Sequence, residues 1–67
     1  MNHATISREL ARLRSALTRA SRYVPTSIKI AASLALATAA HSMRNGDVSR
    51  AVVALDSAKA LLDSFVA

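Results

Sequence analysis

Apolar residues recur at Ile6, Leu10, Leu13, Leu17, Ala20 and Val24, at alternating steps of four and three. The mean period, about 3.5 residues, is that of a narrow helical seam of the coiled-coil type. Each residue turns the helix by about 100°, so Arg8, Arg12, Arg19 and Arg22 fall on the side away from the seam. The pattern predicts a first helix over residues 7–24, with one apolar face and one arginine face. Thr5 or Ser7 is expected to cap it through a side-chain oxygen. Pro25 closes it, because the residue before a proline is driven out of the helical region.

A second helix is expected over residues 27–44, capped by Thr26 or Ser27. Its pattern differs from the first. One stripe holds Ile28, Ala32, Leu36, Ala39 and Met43, and a second, nearly opposite, holds Ile30, Leu34, Ala37 and His41. Lys29, Ser33 and Arg44 mark a polar wedge between them. A helix that is apolar on two sides normally sits between two neighbours. Small residues at Ala31, Ala35, Ala39 and Ser42 would let one neighbour approach closely. The stretch Asn45–Gly46–Asp47 then predicts a tight antiparallel turn. Asn45 or Gly46 can adopt the left-handed conformation that ends a helix, and Asp47 can cap the next.

The third helix is expected over residues 48–66. Val48, Ala51, Val52, Leu55, Ala58, Leu62, Phe65 and Val66 form one broad face, with Ser49, Asp56, Ser57, Asp63 and Ser64 on the other. Val53 is a stray apolar residue on the polar side, and Asp56, Lys59 and Asp63 are spaced for ion pairs within the helix. Together the elements predict one all-α domain spanning residues 1–67. It is either a three-helix bundle or a helical hairpin with a docked N-terminal helix. The second stripe of the middle helix exceeds what one small monomer needs. A homodimer completing a larger helical bundle is the expected way to cover it.

Composition sharpens this picture. A chain of 67 residues buries only about 60% of its unfolded surface, so its core is marginal. It has no cysteine, which removes disulfides and thiolate metal sites as supports and fits a reducing compartment. A cytoplasmic location is the expectation. Fifteen alanines, with Gly46 and Pro25 the only glycine and proline, favour helix almost throughout. Tyr23 and Phe65 are the only aromatics, so the core is built from small side chains. Residues 30–40, IAASLALATAA, resemble the apolar region and cleavage site of a secretory signal. The basic stretch before them would be about thirty residues long, however, and is already patterned as a helix. The run is also too short to span a bilayer, which takes about 20 apolar residues.

Charge is distributed unevenly. Residues 1–29 hold Arg8, Arg12, Arg14, Arg19, Arg22 and Lys29 against Glu9 alone, which accounts for the whole net charge of +5. Residues 30–67 balance Arg44, Arg50 and Lys59 against Asp47, Asp56 and Asp63. Such asymmetry points to an anionic partner. Guanidinium groups along one helix face suit carboxylates and phosphates alike. The bland alternative is a solvated face that keeps an alanine-rich chain in solution.

Other chemistry finds little support in the residues. His3 lies near the N-terminus, and His41 sits in an apolar stripe without a His, Asp or Glu one helical turn away. The nine serines lack a partnered base, and there is no glycine-rich phosphate loop. No catalytic residue, metal ligand or cofactor is expected, and the chain is not expected to be an enzyme. A helix-turn-helix DNA reader would place Asp56 and Asp63 on its recognition helix, while the basic residues lie elsewhere. Gly46, Asp47, Ala51, Leu55 and Ala58 resemble the turn and second helix of a tetratricopeptide repeat over residues 45–58. Thr38 and Ser42 depart from that repeat, and the chain holds one such unit where a solenoid needs about three. The resemblance is therefore treated as convergent packing, and no binding residues follow from it. Membrane-surface binding is disfavoured, since the first helix has no Trp or Phe and only a narrow seam.

The expected function is thus a small regulatory, inhibitor-like or adaptor module that binds a partner protein with an acidic surface. Arg8, Arg12, Arg19, Arg22 and Tyr23 are the expected contact residues. The alternative is nucleic-acid binding, with the same arginines contacting phosphates.

Overall fold

The computed structural model describes residues 2–20 and 22–66, the last two as backbone only. Three helices follow one another: α1 (His3–Ala20), α2 (Thr26–Arg44) and α3 (Val48–Val66). The principal extents are 33 × 18 × 16 Å. A helix of 19 residues is about 28 Å long, so the helices lie side by side along the long axis. The all-helical bundle matches the expected fold class.

The helix ends differ from expectation in ways the local chemistry explains. Asn2, rather than Thr5 or Ser7, begins α1. Its side-chain oxygen accepts the Thr5 N–H at 2.8 Å, and its carbonyl accepts the Ile6 N–H at 3.0 Å. Starting there keeps Ile6, which is fully buried, inside regular helix. The helix also stops sooner, at Ala20 instead of Val24, and residue 21 lies outside the described residues. The Ala20 carbonyl accepts both the Tyr23 N–H at 2.9 Å and the Val24 N–H at 3.2 Å. This turn drops Val24 into the interior and leaves Tyr23 82% exposed. Pro25 acts as expected on Val24, but the departure from helix has already begun upstream.

No side chain caps α2. Pro25 occupies the cap position at φ −56°, ψ 148°, and Thr26 and Ser27 lie inside the first turn. The Pro25 carbonyl accepts the N–H groups of Ile28 and Lys29, both at 3.0 Å. The other end of α2 follows expectation closely. Gly46 has φ +76°, the left-handed conformation. Asp47 N–H donates to the Ser42 carbonyl at 2.8 Å and Gly46 N–H to the Met43 carbonyl at 3.1 Å, the paired bonds of a Schellman ending. Asp47 then caps α3, its Oδ1 accepting the Arg50 N–H at 3.1 Å.

Packing centres on the α2–α3 hairpin. Ala32, Leu36, Ala39 and Ser42 of α2 are buried with Ala51, Ala54, Leu55, Ala58 and Leu62 of α3. Five alanines and a serine among these nine residues let two helix backbones approach toward the short end of the usual 8–10 Å range. Against this pair α1 docks more lightly, touching both helices. Ile6 and Leu13 are its buried residues, with Leu10 and Leu17 partly buried beside them, so the expected seam faces the core.

Two apolar expectations fail in detail. Val48, placed on the core face of α3, is 38% exposed, because it occupies the first helical position beside the turn. Ala54, not assigned to that face, is buried. The side chains of Phe65 and Val66 lie outside the description. The expected pairs of Asp56, Lys59 and Asp63 do not form either. The ion pairs among the described residues are Glu9–Arg12 at 3.6 Å and Asp47–Arg50 at 3.8 Å.

Two outcomes are expected from the hairpin. Gly46→Ala meets no atom within 4 Å, so its cost is conformational, about 1 kcal/mol, and Gly46→Asn should recover part of it. Asp47→Ala should cost about 1 kcal/mol through the lost cap. Both are read as a lower urea midpoint with an unchanged slope. The light docking of α1 predicts a second result: amide exchange should be faster along His3–Ala20 than along α2 and the first three turns of α3.

Candidate interaction surface

With Ile6 and Leu13 turned inward, the opposite face of α1 is open to solvent. Arg8, Arg12 and Arg19 are all exposed there. From the helical period they share an arc of about 40°, with Arg12 about 6 Å along the axis from Arg8 and Arg19 about 10 Å further. Arg14, not among the expected contacts, lies at the edge of the same outer surface, with Ala11, Ser15 and Thr18 between the arginines. These residues form the convex side of one helix, so no enclosed pocket lies behind them. A ridge with charged tips reaches into a partner and does not enclose a small ligand.

Arg22 and Tyr23 were expected to continue this face on the helix. Both are exposed, but they sit in the turn beyond Ala20. They therefore flank the end of the arginine row without belonging to its helical register. The early end of α1 is the cause, and Pro25, which marks an end at Val24, does not signal it.

Glu9 is the acid beside the row. Its carboxylate lies 3.6 Å from Arg12, and the Arg12 side chain remains 66% exposed. A pair this solvated holds neither side chain firmly, so Arg12 stays free to meet another carboxylate or phosphate. Glu9 also borders a cleft of about 50 Å³ between α1 and α3, with Leu13 and Leu55 at its base and Asp56 and Lys59 at its rim. That volume holds a water molecule or two and no larger ligand.

The remaining polar groups are spread apart. No group of three or more His, Asp or Glu among the described residues could hold a metal ion. His41, the polar member of the second apolar stripe of α2, is exposed, and its Nε2 lies 3.0 Å from the Asn45 side-chain nitrogen. His3 is exposed in the first turn of α1. Residues 30–40, which resemble a signal segment in sequence, form the middle of α2 and contribute Ala32, Leu36 and Ala39 to the core. No helix among the described residues is long and apolar enough to cross a membrane.

The geometry separates the arginines from the fold. Each guanidinium row member is exposed and points away from the seam, so reversing its charge leaves the buried contacts untouched. The combined Arg8→Glu, Arg12→Glu and Arg19→Glu variant should keep the helical circular dichroism spectrum of the parent. Loss of helix would show that the row has a structural role. Comparison with protein-family models, with curated proteins and with solved structures yields no match to this chain.

Proposed function

We propose that the chain is a small, non-enzymatic interaction module of the regulator or adaptor kind, and that its arginine face binds an acidic surface of a partner protein. One observation carries this reading. Arg8, Arg12 and Arg19 form an exposed row on one helix face, with Arg22 and Tyr23 exposed at its end, on a chain of net charge +5. Planar guanidinium groups spaced along a helix pair with carboxylates in two-bond geometry, which gives orientation as well as attraction. Electrostatic complementarity of this kind mainly sets encounter rate and specificity.

Nucleic acid is the second reading, since phosphates would meet the same arginines. It is the weaker one for two reasons. Tyr23 is the only aromatic beside the row, so stacking on unpaired bases has little to work with. Asp56 and Asp63 are exposed on α3, the helix that would enter a groove if the hairpin acted as a DNA reader.

The two readings separate by ligand. Labelled duplex and single-stranded DNA and RNA are titrated with the protein at two salt concentrations, followed by anisotropy. The protein-partner reading expects weak binding at most, even at low salt. Affinity that falls by orders of magnitude between low and moderate salt would transfer the function to nucleic acid. In parallel, pull-downs from the source organism compare the parent with the fourfold Arg8, Arg12, Arg19 and Arg22 to Glu variant. A specific protein should be captured by the parent and lost with the variant. Equal capture by both would overturn the arginine face as the binding surface.

A further inference from the structure

The outer side of α2 is unlike the rest of the surface. Ile30 is 57% and Leu34 64% exposed, and Ala37 and His41 are exposed in the same row. Ser33 and Thr38, also exposed, flank them. From Ile30 to His41 the helix has no Asp, Glu, Lys or Arg, so this face runs uncharged for about three turns. Soluble surfaces normally carry charge on about a quarter to a third of their residues. The row also stands about 180° around the helix from the buried Ala32, Leu36 and Ala39. It adds nothing to the core of this bundle.

We infer that this row is the interface of a homodimer, in which α2 packs antiparallel against α2 of a second copy. Charge selects the occupant. Each copy carries +5, placed on residues 1–29 and largely on α1, which packs against the buried side of α2. Two such chains repel wherever arginines meet. Between Ile30 and His41 the row lets them approach without placing like charges in contact, whereas an acidic partner would gain nothing there.

Side-chain size selects the direction. The steps from Ile30 to Leu34, Ala37 and His41 are four, three and four, the spacing of a two-helix seam. A two-fold axis between Leu34 and Ala37 sets Leu34 against Ala37 of the other copy, large against small, twice over. It sets Ile30 against His41, and Ser27 against Arg44. A parallel pair would instead oppose Leu34 to Leu34, His41 to His41 and Arg44 to Arg44, with two like charges in register. Large side chains meet small ones, and Arg44 avoids its own copy, only in the antiparallel sense.

Area sets the strength. Ile30 and Leu34 are the only large apolar side chains of the row, so the buried patch falls short of the roughly 800 Å² per partner of a standard stable complex. The dimer is therefore concentration-dependent, with monomer returning on dilution through the micromolar range. This inference concerns α2 alone and stands or falls independently of the arginine face.

Sedimentation equilibrium of the full chain over a thousandfold concentration range tests it. The expected result is a reversible monomer–dimer equilibrium. Leu34→Glu should weaken it at least tenfold while the circular dichroism spectrum stays helical, and Thr18→Glu on the outer face of α1 should not weaken it. The native chain has no cysteine, so single Ile30→Cys and His41→Cys variants report direction. Mixed and oxidised, they should form the cross-linked pair between positions 30 and 41 faster than either homodisulfide. A chain that remains monomeric at millimolar concentration overturns the dimer, as does association unaffected by Leu34→Glu. Preferred homodisulfides overturn the antiparallel arrangement.

Discussion

Close approach of α2 and α3 is the constraint on which the rest of this small structure depends. The side chains between these helices are mostly alanine, with Leu36, Leu55 and Leu62 as the larger members. Alanine contributes little transfer free energy by itself, so the stabilisation must come from backbones brought near enough for dense contact. That geometry demands a short connection. Asn45, Gly46 and Asp47 supply it by closing one helix and capping the next without an intervening loop. A longer linker would leave the pair free to separate, and alanines at larger spacing would leave voids. Ile6, the one large side chain among the described residues that is completely hidden from solvent, and its neighbour Leu13 then provide volume that the hairpin lacks.

This division explains why α1 is both necessary and loosely held. Its seam is narrow, so it covers the hairpin along one side, and its opposite face is open to water. Arginine suits such a face. Its long aliphatic stem can lie along apolar surface while the guanidinium remains hydrated. On α2, by contrast, the water-facing side carries Ile30 and Leu34 where a solitary bundle would place charge. The two outer faces thus depart from ordinary surface in opposite directions, one highly charged and one uncharged.

Helical periodicity made the faces of α1 and α3 legible, because Leu and Ile strongly prefer burial and their spacing leaves few registers. Alanine carries no such signal. Ala54 is buried and Ala37 exposed, yet their side chains are identical, and only the position of the neighbouring helix distinguishes them. The helix ends depended on similar competition. Asn2, Thr5 and Ser7 are all chemically able to cap, and the burial of Ile6 decides among them. The Asn–Gly–Asp turn was readable because only glycine takes φ near +76° without strain. Among the candidate contact residues, Arg8, Arg12 and Arg19 keep the register inferred from spacing. Arg22 and Tyr23 do not, since α1 ends at Ala20, whose carbonyl accepts the N–H groups of Tyr23 and Val24 in a turn. Arg14 was passed over because it stands off the main row, although it borders the same open face.

The proposed interface on α2 and the proposed contact face on α1 also bear on one another. At physiological ionic strength charges are screened over about 8 Å, less than the thickness of one helix with its side chains. Arginines on the far side of the bundle therefore oppose an α2–α2 contact only weakly, which is why a modest apolar row could suffice. Pairing would in turn present two arginine rows on one assembly. A partner offering two acidic patches at the matching separation would gain from both, because the second contact becomes intramolecular once the first has formed. A partner with one patch would gain nothing. The spacing set by α2 would then act as a filter on what the arginines bind, and the fold would contribute to specificity through its assembly as well as through its charge.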